Sequence, residues 1–229
     1  MVCGLPCWWR VYSGSMTISP NFSDVQSYML EQLPDRPHEL SAMEQRAHDT
    51  GFPIIGPVAG NLCYQIARII RARNIFEMGS GYGYSTAWFA RAVHDNGGGT
   101  VHHVVWDDEL SSQARVHLSR LSYEKIVQYH VAEAVKTLES TQGPFDLIFN
   151  DIDKEDYPKA LPIIEQRLRP GGMLIVDNML RGGRIFEASD RSAATTGVRE
   201  LTARINASPE WISSIVPIRD GLLLAYRVP

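Results

Sequence analysis

The sequence has few cysteines, no block of basic residues and no long apolar run. Its three cysteines are too few for a disulfide framework, so we expect a cytoplasmic location, where thiols stay reduced. A formal net charge of -4 without a basic cluster argues against a nucleic-acid partner. No apolar run approaches the length that spans a membrane, and residues 1–15 lack the apolar core of a signal peptide. Neither nucleic acid nor a membrane is therefore an expected partner.

The chain divides into a short atypical start and one long patterned region. Residues 1–15 show neither a helical nor a strand period, so we expect an N-terminal tail over residues 1–20 that is flexible or packs against a partner. A hydrophobic fraction of 44% is enough for one sizeable core, which predicts a single domain over residues 21–229. Helical spacing of apolar residues predicts that this domain opens with helices over residues 21–33, 37–49 and 58–71.

Short apolar runs then alternate with helical stretches along the rest of the chain. Buried parallel strands are typically continuous apolar runs, which predicts strands over residues 74–78, 101–106, 126–131, 145–150 and 173–177. This alternation predicts a doubly wound parallel sheet. Two further strands, 211–218 and 222–228, are separated only by Arg219, Asp220 and Gly221. So short a linker makes a hairpin, and the last strand must therefore be antiparallel.

A glycine-rich loop follows the first predicted strand. Gly79, Gly81 and Gly83 form a G-x-G-x-G turn before a helix, and glycines let a ligand approach the backbone closely. The helix that starts near Tyr84 and Ser85 offers free N–H groups to an anion. The loop could also be a tight turn that packs helix on strand, or a dinucleotide site. The dinucleotide fingerprint G-x-G-x-x-G, however, has its third glycine one residue later.

Polar residues close the fourth and fifth predicted strands. Asp151 follows the fourth strand, and Asp177 and Asn178 close the fifth, so these oxygen donors should converge at the carboxyl edge of the sheet. Such donors suit Mg²⁺, with Ca²⁺ or Mn²⁺ as alternatives, although each residue alone could be a strand-end cap. Lys154 lies three residues after Asp151 and could act there as a general base, or be an ordinary solvated lysine.

Five segments carry a family resemblance: FPIIGPVAG, FEMGSGYGYSTAWFARAV, FDLIFNDIDKEDYP, RPGGMLIVDNML and RDGLLLAYR. From Phe52 to its C-terminus the chain resembles the cation-dependent O-methyltransferases that include catechol and caffeoyl-CoA O-methyltransferases, especially their small bacterial relatives. The resemblance implies the class I methyltransferase fold, a Rossmann-like seven-stranded sheet with an antiparallel last strand and helices on both faces. It also implies a homodimer that transfers a methyl group from S-adenosylmethionine to a phenolic, catechol-type hydroxyl.

The same resemblance assigns roles to individual residues. Asp151, Asp177 and Asn178 correspond to the metal ligands, and Lys154 corresponds to the general base. The residues that correspond to the cofactor pocket are Ile55, Glu77, Gly79, Gly81, Ser85, Glu133, Ala134 and Asp151. Val105 departs from the family pattern, because an acid usually binds the ribose hydroxyls at this position. Asp107 could replace that acid, since residues two apart on a strand share a face, or it could cap the next helix.

Two features beside the predicted pocket have more than one interpretation. Trp106 could stack on adenine or pack in the core. Residues 179–196 have weak patterning and predict a long loop that covers the acceptor.

The rival functions are a nicotinamide-dependent oxidoreductase and a non-catalytic S-adenosylmethionine-binding protein. The glycine spacing and the terminal hairpin argue against the first, and the set of Asp151, Lys154, Asp177 and Asn178 argues against the second.

Overall fold

The first helix and the rest of the fold belong to separate units of the chain. The structure, a computed structural model, describes residues 21–229. Helix α1 (Phe22–Glu31) lies in a unit that ends at Gln32, and every other element lies in the unit Leu33–Pro229. The predicted tail falls outside the described residues, so the domain boundary at residue 20 stays a prediction. Among the described helices, none is long and apolar enough to cross a membrane.

A mixed seven-stranded sheet forms the centre of the second unit. Its strands are β1 (Asn74–Met78), β2 (Thr100–Val105), β3 (Val127–Val131), β4 (Phe145–Asn150), β5 (Leu168–Val176), β6 (Trp211–Val216) and β7 (Leu222–Arg227). They are ordered β3-β2-β1-β4-β5-β7-β6, and β7 runs antiparallel to both of its neighbours. The predicted fold class, with its parallel core and terminal hairpin, is confirmed.

Strand β5 begins earlier than its sequence predicts. It starts at Leu168, whereas the apolar run starts at Met173. Leu168 pairs with Phe145 and Met173 pairs with Leu147, so the register shifts between these two pairs. The Pro-Gly-Gly segment of this strand is typical of a turn, but in the structure it forms an irregularity inside the strand.

Helices cover both faces of the sheet. After α1, the chain forms α2 (His38–Thr50), α3 (Gly56–Ile69), α4 (Tyr84–Asp95), α5 (Asp108–Arg120), α6 (Ala134–Ser140), α7 (Tyr157–Arg167) and α8 (Ala193–Ala207). On one face, Ile148 of β4 belongs to a buried cluster with Leu161 of α7 and Leu201 of α8. On the other face, the ring of Phe149 lies 5.4 Å from the ring of Phe89 in α4. Successive residues of β4 thus point to opposite faces, as a strand requires.

The loop predicted over residues 179–196 is shorter in the structure, because its last residues belong to a helix. A 3-10 helix spans Arg181–Phe186, and α8 already begins at Ala193. Ser192 caps α8, since its side chain accepts a hydrogen bond from the backbone N–H of Thr195. The segment before this cap contains glycines and has no clear apolar period. The start of α8 could therefore not be located from the sequence.

Backbone hydrogen bonds between neighbouring strands fix the positions of the residues that directly follow β4 and β5. The backbone N–H of Asp151 donates to the carbonyl of Met78 at 2.9 Å, and that of Asp177 donates to the carbonyl of Asn150 at 3.1 Å. Because β4 lies between β1 and β5, these bonds hold the two aspartates side by side at the carboxyl edge of the sheet.

Helix α8 supports the segment that carries Lys154. A 3-10 helix, Lys154–Asp156, packs against α8. A Cβ atom at Gly197 of α8 would lie only 2.2 Å from the carbonyl oxygen of Lys154 and 3.0 Å from the Cα of Glu155. Both neighbours are backbone atoms and cannot rotate away, so glycine is needed for this close approach.

We expect Gly197→Ala to lower the free energy of unfolding by ~1–3 kcal/mol, because the added methyl group overpacks a buried contact. Chemical denaturation measures this change. The matched control is Thr196→Ala on the exposed side of the same helix, which should change stability by less than ~0.5 kcal/mol. Equal stabilities of the two variants would contradict the close packing of α8 on the Lys154 segment.

Candidate active site

A cavity of about 500 Å³ opens at the carboxyl edge of the sheet. Ten of the twelve predicted site residues line it: Ile55, Gly79, Gly81, Ser85, Glu133, Ala134, Asp151, Lys154, Asp177 and Asn178. The two others are Glu77, which is wholly buried, and Asp107, which is not part of the lining. The fold thus gathers residues from most of the second unit around one space of ligand size.

The glycine loop forms one wall of the cavity. Gly79 has a φ of 85°, and a Cβ atom there would lie 2.4 Å from the carbonyl oxygen of Asp151. The loop can therefore cross close to the end of β4 only with glycine at this position. Gly83 precedes α4, and Tyr84 and Ser85 in the first turn of this helix line the cavity. The wall combines an accessible backbone with the N-terminus of a helix, an arrangement suited to a carboxylate.

Glu77 is held beneath this wall by a chain of buried side chains. Burial raises the pKa of its carboxyl group, while hydrogen bonds from Ser85 and Thr86 act in the opposite direction. Thr86 donates to Glu77 Oε2 and contacts Nδ1 of His103 at 2.9 Å. Burial also lowers the pKa of His103 to about 3, so its ring is neutral and Nδ1–H can donate to Thr86. The His103–Thr86–Glu77 chain fixes the position of the carboxylate behind the loop.

Asp151 and Asp177, at the ends of β4 and β5, form an acidic pair that lines the cavity and is called the acidic wall below. Asp177 is buried, and the side chain of Asp151 is 26% exposed where it faces the cavity. Burial and the charge of Asp151 raise the pKa of Asp177 to about 7. Burial likewise raises the pKa of Asp151, although the charge of Lys154 and its hydrogen bond act against that rise. The pair therefore lacks sufficient positive charge for both carboxylates to ionise fully near neutral pH.

Lys154 points into the cavity beside this pair. Its Nζ donates to Asp151 Oδ1 at 2.9 Å, and its side chain is 17% exposed. Nζ lies 5.7 Å from the centre of the Tyr157 ring, whose hydroxyl donates to the carbonyl of Asp177 at 2.9 Å. Tyr157 thus packs behind both the lysine and the acidic pair. The ion pair with Asp151 holds the amine at the wall of the cavity.

Asn178 is oriented by Asp220 of the terminal hairpin. The side-chain Nδ2 of Asn178 donates to Asp220 Oδ2 at 3.2 Å, and the backbone N–H of Gly182 donates to Asp220 Oδ1 at 2.5 Å. With its nitrogen directed at Asp220, the amide of Asn178 presents its carbonyl oxygen on the other side. Asp220 also ties the 3-10 helix after β5 to the hairpin turn.

At the far end of the cavity, the structure decides between the two alternatives that the sequence left open for Trp106. Val105 and Trp106 line this end together with Glu133. Trp106 is 80% exposed, so the alternative that it packs in the core is wrong. An exposed aromatic ring on a cavity wall offers a stacking surface. Glu133 caps α6 by accepting hydrogen bonds from the backbone N–H groups of Val135 and Lys136, at 2.7 and 2.8 Å.

Asp107 acts as a helix cap. Its Oδ1 accepts a hydrogen bond from the backbone N–H of Leu110 at 2.8 Å, at the start of α5. This is the capping role that the sequence offered as the alternative to ribose binding. A role of Asp107 in binding a ribose stays a prediction.

The donor set of the acidic wall fits a hard divalent cation. Within the described part of the chain, no group of three or more His, Cys, Asp or Glu residues is placed to hold a metal. The predicted set is of another kind, because it consists of two carboxylates and one amide oxygen. Such a set leaves coordination positions for water or for substrate oxygens, which Mg²⁺ commonly keeps. Burial raises the pKa values of both aspartates, and a positive charge at this wall would act in the opposite direction.

Sequence reasoning missed four contributors to this site: Thr86, His103, Arg219 and Asp220. Thr86 and His103 lie within a helix and a strand, where nothing in their spacing distinguishes them from core residues. Arg219 and Asp220 read only as turn residues between β6 and β7. Their proximity to Asn178 follows from the antiparallel pairing of β7 with β5, which brings the hairpin turn to the carboxyl edge.

Comparisons with known proteins agree with this geometry. The O-methyltransferase family model matches residues 38–228. A catechol O-methyltransferase of Niastella koreensis is 29% identical over 215 residues, which cover 89% of this chain and 96% of that protein. A catechol O-methyltransferase of Mycobacterium tuberculosis is 32% identical over 189 residues, which cover 81% of this chain and 85% of that protein.

Solved structures show the same similarity. An O-methyltransferase from Bacillus cereus, in complex with S-adenosylhomocysteine, superposes with a TM-score of 0.80 at 26% identity. The superposition covers 89% of this chain and 96% of that one. The chain therefore belongs to the O-methyltransferase family, which confirms the predicted family and the predicted enzyme class, an S-adenosylmethionine-dependent O-methyltransferase.

Proposed function

We propose that this enzyme methylates a phenolic hydroxyl of a catechol-type acceptor, with a divalent cation held by Asp151, Asp177 and Asn178. The observation that carries the proposal is the acidic pair of the buried Asp177 and the part-buried Asp151, which lines the same cavity as the glycine loop and Lys154. The two relatives named catechol O-methyltransferase support the acceptor class.

The glycine-loop wall suits the methionine part of the methyl donor. S-Adenosylmethionine supplies a methyl group on a positively charged sulfur when it is bound. The first turn of α4 offers N–H groups for its carboxylate. Glu77 is held behind the loop, where a nearby ammonium group would favour the ionised form of its carboxyl group. Trp106 and Glu133 line the end where the adenosine would lie. The Bacillus cereus relative, whose structure holds S-adenosylhomocysteine, supports this assignment.

The acidic wall suits the cation and the acceptor. Asp151 and Asp177 provide two negative charges, and Asp220 turns the carbonyl oxygen of Asn178 away from the hairpin and makes it available as a third donor. A divalent cation bound there supplies Lewis acidity, which lowers the pKa of a nearby phenolic hydroxyl. Mg²⁺ is the expected ion, with Ca²⁺ or Mn²⁺ as alternatives.

Lys154 is the proposed general base. Lys154 must first release the proton of its ammonium form to solvent, which the charge of a cation held by Asp151 and Asp177 would favour. The acceptor hydroxyl then gives its proton to the neutral Nζ, and the oxygen forms a bond to the methyl carbon as the carbon–sulfur bond breaks and the sulfur leaves as a neutral thioether. Asp151 and the packing of α8 hold the amine in the cavity wall. Much of the rate should come from alignment of the two reactants, because the transfer is a single displacement. The predicted homodimer and cytoplasmic location stay predictions.

We expect methyl transfer from labelled S-adenosylmethionine to catechol to require a divalent cation, because two buried carboxylates otherwise lack compensating charge. Chelation of all divalent ions should abolish turnover, and added Mg²⁺ should restore it. Metal content is checked by elemental analysis of the chelated protein. Full turnover by protein confirmed to be free of metal would contradict cation dependence, and absence of transfer to any phenol would contradict the acceptor class.

We expect Lys154→Ala to lower kcat by about a hundredfold or more, because removal of a general base typically costs this much. The affinity for S-adenosylmethionine, measured by calorimetry, should change little. Lys159→Ala is the matched control, since Lys159 pairs with Asp156 at 2.5 Å and its side chain is 75% exposed. Similar kcat values for Lys154→Ala and wild type would show that another group takes the proton.

A further inference from the structure

Arg219 has a backbone conformation that arginine rarely adopts. Its φ is 50°, in the left-handed region, where a side chain clashes with its own backbone. Glycine would fit this place in the hairpin turn without strain. A strained residue persists only where its surroundings hold it, and such residues are concentrated at ligand sites. Arg71, which is exposed, has a similar φ of 53°, so the position of the Arg219 side chain decides whether this residue has a function beyond the turn.

The side chain of Arg219 extends to the mouth of the cavity. It lies against Gly56 at the start of α3, where a Cβ atom would be 3.2 Å from the Cδ atom of Arg219. Gly56 itself has a φ of 70°, so two unusual backbone positions together make room for this arginine. Arg219 lines the cavity next to Ile54 and Ile55, which directly precede Gly56.

The charge of Arg219 acts at the acceptor end of the cavity. Arg219 lines the cavity, and the next residue, Asp220, accepts a hydrogen bond from the side chain of Asn178. Trp106 and Glu133 line the end assigned to the adenosine, so Arg219 lies at the other end, which is assigned to the acceptor.

An acceptor with its own negative charge would need such a group. Asp153 and Asp156 line this cavity in addition to the two aspartates assigned to the cation, and their charges would repel an anionic acceptor. A guanidinium group presents a planar fork of donors that matches a carboxylate in a bidentate arrangement. We propose that Arg219 forms a subsite for a carboxylate on the ring substituent of the phenolic acceptor. This inference rests on the proposed function and adds the acidic character of the substrate to it.

Two acceptors that differ only in charge test the subsite. Protocatechuate is a catechol with a ring carboxylate, and its methyl ester is the neutral counterpart. We expect the wild type to favour protocatechuate in kcat/KM, and Arg219→Gln to lower the ratio of the two kcat/KM values by about tenfold or more. Arg219→Lys should retain part of the preference, because it keeps the charge but loses the fork.

The matched control is Arg71→Gln. Arg71 is exposed, has a similar left-handed φ of 53° and does not line the cavity. This variant should leave the ratio of the two acceptors unchanged. A second variant, Arg219→Gly, separates function from folding, because glycine relieves the strained φ. It should lose the preference for protocatechuate while its melting temperature stays equal to or above that of the wild type.

The possible outcomes separate this inference from the proposed function. If wild-type enzyme methylates both acceptors and Arg219→Gln leaves their ratio unchanged, the subsite is wrong and the proposed function stands. A lower melting temperature of Arg219→Gly with an unchanged ratio would show that Arg219 serves the turn alone. If the wild type methylates neither acceptor under conditions that contain Mg²⁺, the proposed function and the subsite are both overturned.

Discussion

The site depends on two carboxylates that the fold forces together. Asp151 and Asp177 each follow one of two neighbouring parallel strands, and backbone hydrogen bonds to β1 and β4 fix their height at the edge of the sheet. Burial of Asp177 and the charge of Asp151 raise the pKa of Asp177 to about 7. A hydrogen bond from the backbone N–H of Asn178 and the charges of Arg219 and Lys154 act in the opposite direction. The rest of the site is arranged around this unfavourable pair.

The sequence alone predicted the part of the fold that depends on pattern and chain order. Continuous apolar runs gave the parallel strands, and the three-residue linker at Arg219 gave the antiparallel end of the sheet. Because the carboxyl ends of parallel strands share one edge of a sheet, the sequence alone also predicts that Asp151 and Asp177 lie close together. Local signals failed where turn residues occur inside an element, as in β5, and where a helix such as α8 starts after a stretch of weak pattern.

Contacts between distant segments could not be predicted. The hydrogen bond from Asn178 to Asp220 and the packing of Arg219 on Gly56 join residues far apart in the chain. Each requires the exact pairing of β7 with β5, which no local pattern reveals. Asp107 illustrates a different limit, since one carboxylate can cap a helix or face a ligand, and both uses fit the same sequence. Supporting residues such as Thr86 and His103 are recognised only from their contacts with Glu77.

The proposal that Asp151 and Asp177 bind a divalent cation can be tested by calorimetric titration with Mg²⁺. Wild-type protein saturated with S-adenosylmethionine should show saturable binding of about one ion per chain. Asp177→Asn keeps the shape of the side chain but removes its charge, and should weaken binding by about tenfold or more. Equal affinities of the two proteins for Mg²⁺, or no binding by the wild type, would contradict the proposed cation site.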